Sequence, residues 1–146
     1  MTESEYRNAE LTINESGIWL GDVHIMPTAE DGLIQADVRR LCHEHKPRRV
    51  LELGFGLGLS ATAFQEYGIA EHCIIEAHSV IAARARQWAA GRPGIEIIEG
   101  FAQTVPVPDG AWDLVFDDRY DLTDTALDVT RFVHRYLFTC RGYGGN

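Results

Sequence analysis

Apolar and polar residues are arranged along this chain in blocks that predict successive strands and helices. Residues 10–26 hold short apolar runs broken by Asn14-Glu15-Ser16-Gly17 and by Gly21-Asp22, which favours a hairpin or a β-meander. Residues 29–45 carry apolar side chains at helical spacing and are followed by Pro47, so they predict an amphipathic helix.

From residue 49 onward the pattern becomes a regular succession of strand and helix. The predicted strands are 49–53, 72–76, 95–99 and 112–116, and the predicted helices are 58–67, 79–90 and 123–138. Strands separated by helices predict right-handed crossovers. The expected fold class is α/β, a Rossmann-like and mostly parallel sheet with helices on both faces. We expect an N-terminal hairpin or extension over residues 1–28 and a Rossmann-like domain over residues 29–146.

A glycine-rich turn follows the first strand of this series. Residues 50–58 read Val-Leu-Glu-Leu-Gly-Phe-Gly-Leu-Gly, with Glu52 two positions before the first glycine. Gly54 and Gly56 let the backbone turn sharply and let a ligand approach the main chain. The dinucleotide fingerprint places its third glycine one position later than Gly58. An acid beside the turn suits a ligand with an ammonium and a sulfonium better than a pyrophosphate, and S-adenosylmethionine is such a ligand.

A second acid, Glu76, ends the next strand of the series. Nucleotide-binding folds place a carboxylate at about this distance past the glycine turn, where it accepts hydrogen bonds from ribose hydroxyls. Two acids at the ends of neighbouring strands therefore support the prediction of a nucleoside-containing cofactor.

Composition narrows the possible partners and surroundings. The formal net charge of −9 argues against nucleic acid as a partner. No apolar run is long enough to span a bilayer and the first residues lack a basic segment, so we expect a cytoplasmic protein. Cys42, Cys73 and Cys140 are widely spaced and fit reduced thiols. The six histidines are scattered, and no metal site is expected.

Several stretches resemble one known family. Val50-Leu51-Glu52-Leu53-Gly54-Phe55-Gly56 is similar to motif I of class I S-adenosylmethionine-dependent methyltransferases. Further stretches resemble the guanidinoacetate N-methyltransferase branch, namely His72-Cys73-Ile74-Ile75-Glu76, Arg84-x-Arg86-x-Trp88-Ala89, Asp109-Gly110-x-x-Asp113, and Phe116-Asp117-Asp118-Arg119-Tyr120. The similarity runs over residues 48–124.

The resemblance implies a Rossmann-like methyltransferase fold that binds S-adenosylmethionine. It implies that Glu52 and the backbone of the glycine turn hold the methionine part, that Glu76 holds the ribose, and that residues 100–102 lie against the adenine. The expected cofactor-binding residues are Glu52, Gly54, Phe55, Gly56, Gly58, Glu76, Ala77, Gly100, Phe101 and Ala102.

The same branch has a substrate-binding aspartate at the position of Asp118. A guanidinium is planar with forked donors, so a carboxylate can accept two of its hydrogen bonds and aim one nitrogen at the methyl group. Asp117 stands where the family has an uncharged residue, and its charge either enlarges the cation site or faces solvent. Glu30 is the nearest counterpart of the family's acid before the first conserved helix, although its spacing to motif I differs by a couple of residues.

The resemblance also predicts that the chain stops before the family's fifth strand. Strand 112–116 would then present a bare edge, covered either by residues 10–26 or by another chain. We expect a homodimer or higher homo-oligomer, with the tail from Tyr136 to Asn146 reaching across to the partner.

Three functions stay open at this point. The first is N-methylation of a small, cationic guanidino or amino acceptor. The second is a protein that keeps the cofactor pocket and has another activity, and the third is a non-catalytic interaction subunit.

Overall fold

The computed structural model describes residues 1–119 and 127–140. Its N-terminal part is an antiparallel sheet of three strands, which confirms the predicted β-meander. The strands are β1 (Thr12–Asn14), β2 (Gly17–Leu20) and β3 (Val23–Pro27). A short helix that the apolar pattern did not predict, α1 (Glu3–Arg7), precedes them.

The second sheet has five strands in the order β6-β5-β4-β7-β8, and every neighbouring pair is parallel. The strands are β4 (Arg49–Leu53), β5 (Glu71–Glu76), β6 (Ile95–Glu99), β7 (Trp112–Asp117) and β8 (His134–Thr139). The α-helices are α2 (Asp31–His45), α3 (Leu59–Gln65) and α4 (Ser79–Ala89), and short 3₁₀ helices cover Thr28–Glu30 and Val129–Arg131. The predicted fold class, a Rossmann-like parallel sheet flanked by helices, is confirmed.

Alternation along the strands sends side chains to two separate cores. In β4, Val50 packs in the core that includes α2, α3 and α4, whereas Leu51 and Leu53 pack on the opposite face. That second face is covered by the segment after β6 and by Phe132, which follows the second 3₁₀ helix. Both faces of the sheet are therefore covered, as a parallel sheet requires.

The predicted helix over residues 123–138 was wrong in its C-terminal part, where the structure has β8. The residues of β8 alternate as a strand does, because Tyr136 and Phe138 pack toward the α-helical face and Leu137 toward the other. The Phe138 ring stacks on Phe116 of β7 with ring centroids 5.3 Å apart. Residues 120–126 of the predicted helix lie outside the described residues.

The expected bare edge at strand 112–116 was also wrong. Strand β8 pairs with β7 from Trp112↔His134 to Asp117↔Thr139, so the tail residues 136–139 complete the sheet of their own chain. The N-terminal strands form a sheet of their own. Self-association stays a prediction, without this edge as its reason, and residues 141–146 of the tail lie outside the described residues.

Within residues 1–119 and 127–140, no helix combines the length and the apolar character needed to cross a bilayer. The cytoplasmic location stays a prediction.

Candidate functional site

A cavity of about 330 Å³ lies where β4, β5, β6 and β7 end, at the carboxyl edge of the parallel sheet. Ligands of open α/β sheets bind at this edge, because the loops that leave the strands diverge there. N-terminal residues form other parts of its wall, among them Tyr6, Ile18 and Met26.

The structure brings most of the predicted site residues to this cavity. Those that line it are Glu30, Gly54, Gly56, Glu76, Ala77, Gly100, Phe101, Ala102 and Asp118. Those that it does not bring to the cavity wall are Glu52, Phe55, Gly58 and Asp117.

Gly54 allows two loops to meet at the cavity. Its φ is +95°, and a Cβ there would lie 2.7 Å from the carbonyl oxygen of Asp118. The Gly54 N–H donates to the Ile75 carbonyl at 2.7 Å, and the Asp118 N–H donates to the Leu53 carbonyl at 3.0 Å. A glycine at this position therefore lets the loop that carries Asp118, the candidate residue for binding the methyl acceptor, lie directly against the glycine turn.

The side chain of Met26, which the sequence did not indicate, lies over the glycine turn. Its sulfur accepts a hydrogen bond from the Leu57 N–H at 3.0 Å, and a Cβ on Gly56 would lie 2.1 Å from that sulfur. Gly58 has a different role, because a Cβ there would lie 2.7 Å from the Phe55 ring. Gly58 makes room for that ring.

Glu76 joins the glycine turn to the end of β5. Its Oε1 accepts a hydrogen bond from the Phe55 N–H at 2.8 Å, and its Oε2 accepts one from the His78 N–H at 2.9 Å. Burial raises the pKa of Glu76, and the hydrogen bonds from the His78 and Phe55 amides oppose that rise. Oε1 also accepts a longer hydrogen bond from the Gly56 N–H at 3.4 Å, so the second lone pair of Oε2 is the one with which Glu76 can hold the turn and still accept a hydrogen bond from a ligand.

The wall beyond β6 is aromatic. Phe101 lies with its ring centroid 6.2 Å from that of Tyr6, a residue of α1 that the sequence did not single out. Helix α1 is held there by an ion pair of 2.8 Å between Arg7 and Glu99 and by a hydrogen bond of 2.7 Å from His78 Nε2 to the Ala9 carbonyl. The N-terminal helix is therefore part of the site.

Asp118 is a cavity acid whose protonation is strongly shifted by its surroundings. Burial raises its pKa to about 7, and the negative charges of nearby acids, Glu52 first, add to the rise. The thiol of Cys140, which also lines the cavity, hydrogen-bonds the carboxylate and acts in the opposite direction. Asp118 therefore titrates near neutral pH.

The other two candidate acids have distinct surroundings. Asp117 is buried and its carboxylate accepts hydrogen bonds from the Arg119 guanidinium at 2.9 and 3.3 Å, so it neither enlarges the cation site nor faces solvent. Glu30 ends the first 3₁₀ helix and faces the cavity. Burial raises the pKa of Glu30, and nearby His24 lowers it.

Glu52, whose carboxylate was expected to meet the methionine part, lies in the core and does not line the cavity. It is fully buried, and its oxygens accept hydrogen bonds from Ser60 Oγ at 2.6 Å and from His72 Nε2 at 2.5 Å. The reason is the two-residue alternation of β4, which sends Glu52 to the same face as Val50, toward α3.

Across the residues that the structure describes, no group of three or more His, Cys, Asp or Glu side chains has an arrangement that would hold a metal ion.

A family model described as guanidinoacetate N-methyltransferase matches residues 36–143. Among curated proteins, "Protein arginine N-methyltransferase 2" of Aspergillus oryzae is 33% identical over 110 residues, which are 75% of this chain and 26% of the relative. The protein of the same name from Emericella nidulans is 31% identical over 121 residues, 82% of this chain and 28% of the relative. The chain thus spans about a quarter of the length of these relatives.

A solved structure shows the same fold. It is the SAH-bound methyltransferase PaMTH1 of Podospora anserina, with a TM-score of 0.53 and 26% identity over 64% of this chain and 44% of that chain.

Proposed function

The chain belongs to the guanidinoacetate N-methyltransferase family, within the class I S-adenosylmethionine-dependent methyltransferases, and from that premise we propose that it transfers a methyl group to a nitrogen of a small cationic acceptor. The acceptor class is a guanidino or amino compound, and Asp118 holds it. The observation that carries this proposal is the contact between Asp118 and Gly54. Because of it, the residue that would bind the methyl acceptor and the turn that would bind the cofactor face one cavity.

The residues of the cavity fit S-adenosylmethionine. A volume of about 330 Å³ lies within the range of small-molecule sites. Bound there, the cofactor would supply an electrophilic methyl group on a sulfonium. The backbone at Gly54 and Gly56 would hold its amino-acid part, Glu76 would accept hydrogen bonds from the ribose hydroxyls, and Phe101 would lie against the adenine.

Asp118 has two tasks in this proposal. Its ionised carboxylate accepts two hydrogen bonds from a guanidinium, which orients the nitrogen that is to be methylated. That nitrogen must also lose a proton, and a carboxylate with a pKa of about 7 can take it at neutral pH. Glu30 faces the same cavity and adds a second negative charge for a cationic acceptor.

A second candidate acceptor is an arginine side chain of a protein. It is favoured by the names of the fungal relatives, which are protein arginine N-methyltransferases. Free guanidino compounds and protein arginine offer the same guanidinium to Asp118, so the chemistry inside the cavity is common to both.

Calorimetry and mass spectrometry together test the proposal. The chain is titrated with S-adenosylmethionine and with S-adenosylhomocysteine, then incubated with S-adenosylmethionine and guanidinoacetate, a simple primary amine, or an arginine-containing peptide. We expect binding of both cofactor forms and a mass increase of the small acceptor that Asp118→Asn abolishes.

The other possible results would support a different acceptor, a different activity or no cofactor binding. Methylation of the peptide alone would establish the second candidate. Cofactor binding without methylation of any acceptor would support a protein with another activity, and no binding of either cofactor form would overturn the proposal.

A further inference from the structure

A buried polar cluster lies directly beneath the glycine turn. It consists of Glu52 on β4, Ser60 and Gln65 on α3, and His72 on β5. Ser60 Oγ and His72 Nε2 donate to the two oxygens of Glu52, at 2.6 and 2.5 Å, and Gln65 Nε2 donates to His72 Nδ1 at 2.8 Å. Glu52, Ser60 and His72 are each at most 2% exposed.

One tautomer of His72 satisfies the hydrogen bonds with the Gln65 amide in its present orientation. Because the Gln65 amide N–H₂ can only donate, Nδ1 of His72 is an acceptor, and the ring proton is on Nε2, which donates to Glu52. Both carboxylate oxygens of Glu52 thus have partners within the protein. Removing one partner leaves a buried polar group unsatisfied, so the members of the cluster depend on one another.

The cluster connects the two ends of the glycine turn. Residues 54–58 run from β4, which carries Glu52, into α3, whose first turn carries Ser60. The hydrogen bond between these two side chains therefore holds the end of the strand to the start of the helix. His72 extends this support to β5, the strand that ends at Glu76.

We infer that Glu52 is a positioning residue: with Ser60 and His72 it sets the conformation of the glycine turn, and it does not contact the ligand. The consequence for ligand binding rests on the proposed function, whereas the consequence for the turn itself does not. The cluster acts from the α-helical face of the sheet, while Glu76 and the amides of the turn contact the ligand at the cavity.

Amide hydrogen exchange of the ligand-free protein tests the effect on the turn. The amides to follow are those of Gly58 and Thr62, which donate to the Phe55 and Gly58 carbonyls at 2.9 Å. Glu52→Ala and Ser60→Ala are expected to speed exchange at both amides, by about tenfold for Glu52→Ala, because they free the strand end from the helix start. Glu52→Gln is expected to leave it within about twofold, since the new amide can accept from Ser60 and donate to the other tautomer of His72, with the Gln65 amide turned so that its oxygen accepts from Nδ1.

Two controls separate this effect from a general loss of stability. Cys73→Ala removes a buried side chain from the neighbouring position of β5 on the opposite face, and it should lower the melting temperature without affecting Gly58 and Thr62 selectively. The second control is the amide of Ala82 in α4, which donates to the His78 carbonyl at 2.8 Å. After each variant's exchange rates are corrected for its global stability, this amide should exchange at the same rate in all variants.

Titration with S-adenosylhomocysteine tests how Glu52 affects the ligand. A positioning role predicts that Glu52→Ala and Ser60→Ala weaken binding together, with losses that do not add in the double variant, and that Glu52→Gln restores most of the affinity. A direct contact with the ligand's ammonium predicts that Glu52→Gln loses as much as Glu52→Ala, because an amide carries no charge.

The outcomes are separable from those of the proposed function. Unchanged exchange at Gly58 and Thr62 in Glu52→Ala overturns the inference, and so does equal loss of affinity in the Gln and Ala variants. If the unmodified chain binds no cofactor, the proposed function fails, and the exchange measurement still decides whether Glu52 positions the turn.

Discussion

Glu52 and Glu76 belong to neighbouring parallel strands, and the sequence favours the same kind of role for both. Glu76 is the last residue of β5 and lines the cavity, while Glu52 is the second-last residue of β4 and points into the α-helical core. The strand register pairs Glu52 with Ile74, so Glu76 lies two residues nearer the carboxyl edge of the sheet than Glu52. An offset of two residues along the paired strands therefore separates an acid at the cavity from an acid in the core.

The same distinction applies to Asp117 and Asp118. In the strand register Asp117 is level with Leu53 inside the sheet, is buried and pairs with Arg119. Asp118 lies one residue nearer the carboxyl edge and faces the cavity. The four predictions that follow test the contrast between acids at the cavity and acids within the sheet.

The largest effect is expected from Asp118→Asn. The amide cannot take the acceptor's proton or pair with a guanidinium, so turnover should fall by about 10² or more while cofactor affinity is kept. Steady-state kinetics and a cofactor titration measure the two quantities. Asp117→Asn is the matched control and should retain turnover within about tenfold. The contrast would break if Asp117→Asn lost as much turnover as Asp118→Asn.

Glu76→Ala should weaken cofactor binding by about 1.5–3 kcal/mol, because the ligand loses a charged hydrogen-bond acceptor. Calorimetric titration of this variant beside Glu52→Gln sharpens the comparison, since the latter is expected to bind nearly as well as the unmodified chain. Unchanged affinity of Glu76→Ala would remove Glu76 from the ligand contacts.

Much of the parallel fold could be predicted from the sequence, because the glycine turn and the alternating blocks are local signals. Strands β4 and β6 have the predicted bounds, and β5 begins one residue earlier. Strand β8 was missed, since a segment of mixed aromatic and basic residues shows its alternation only when β7 is beside it. The contributions of Tyr6 and Met26 to the cavity depend on long-range packing that no spacing in the sequence reveals.

Asp118 also makes stability depend on pH. Its folded-state pKa of about 7 lies above the ordinary 3.8, so the folded protein holds this proton more tightly than the unfolded chain does. The resulting stability is fully present below pH 3.8 and is lost as the pH rises through about 7. The full shift corresponds to at most about 4 kcal/mol, and partial exposure of the side chain reduces the expectation to about 2 kcal/mol.

Asp118→Asn removes this titration, so the free energy of unfolding should fall less between pH 4 and pH 8 in the variant than in the unmodified chain. Urea unfolding at a series of pH values measures the difference. Glu76 and Glu30 titrate in both proteins and therefore largely cancel in the comparison. Identical pH dependence of the two proteins would show that Asp118 is not held in a perturbed environment.

The smallest effect concerns Cys140, whose thiol hydrogen-bonds the Asp118 carboxylate and holds its pKa down. Asp118 must be ionised to hold a cationic acceptor, so kcat/KM should rise with pH through the pKa of Asp118. Cys140→Ala removes the donor, and the rise should move to higher pH by about half a unit, the equivalent of one modest hydrogen bond. Cys140→Ser keeps a donor and should move it less, while Cys42→Ala, in α2 and away from the cavity wall, should leave it in place. Coincident pH profiles for Cys140→Ala and the unmodified chain would show that the Cys140 thiol does not affect the pKa of Asp118.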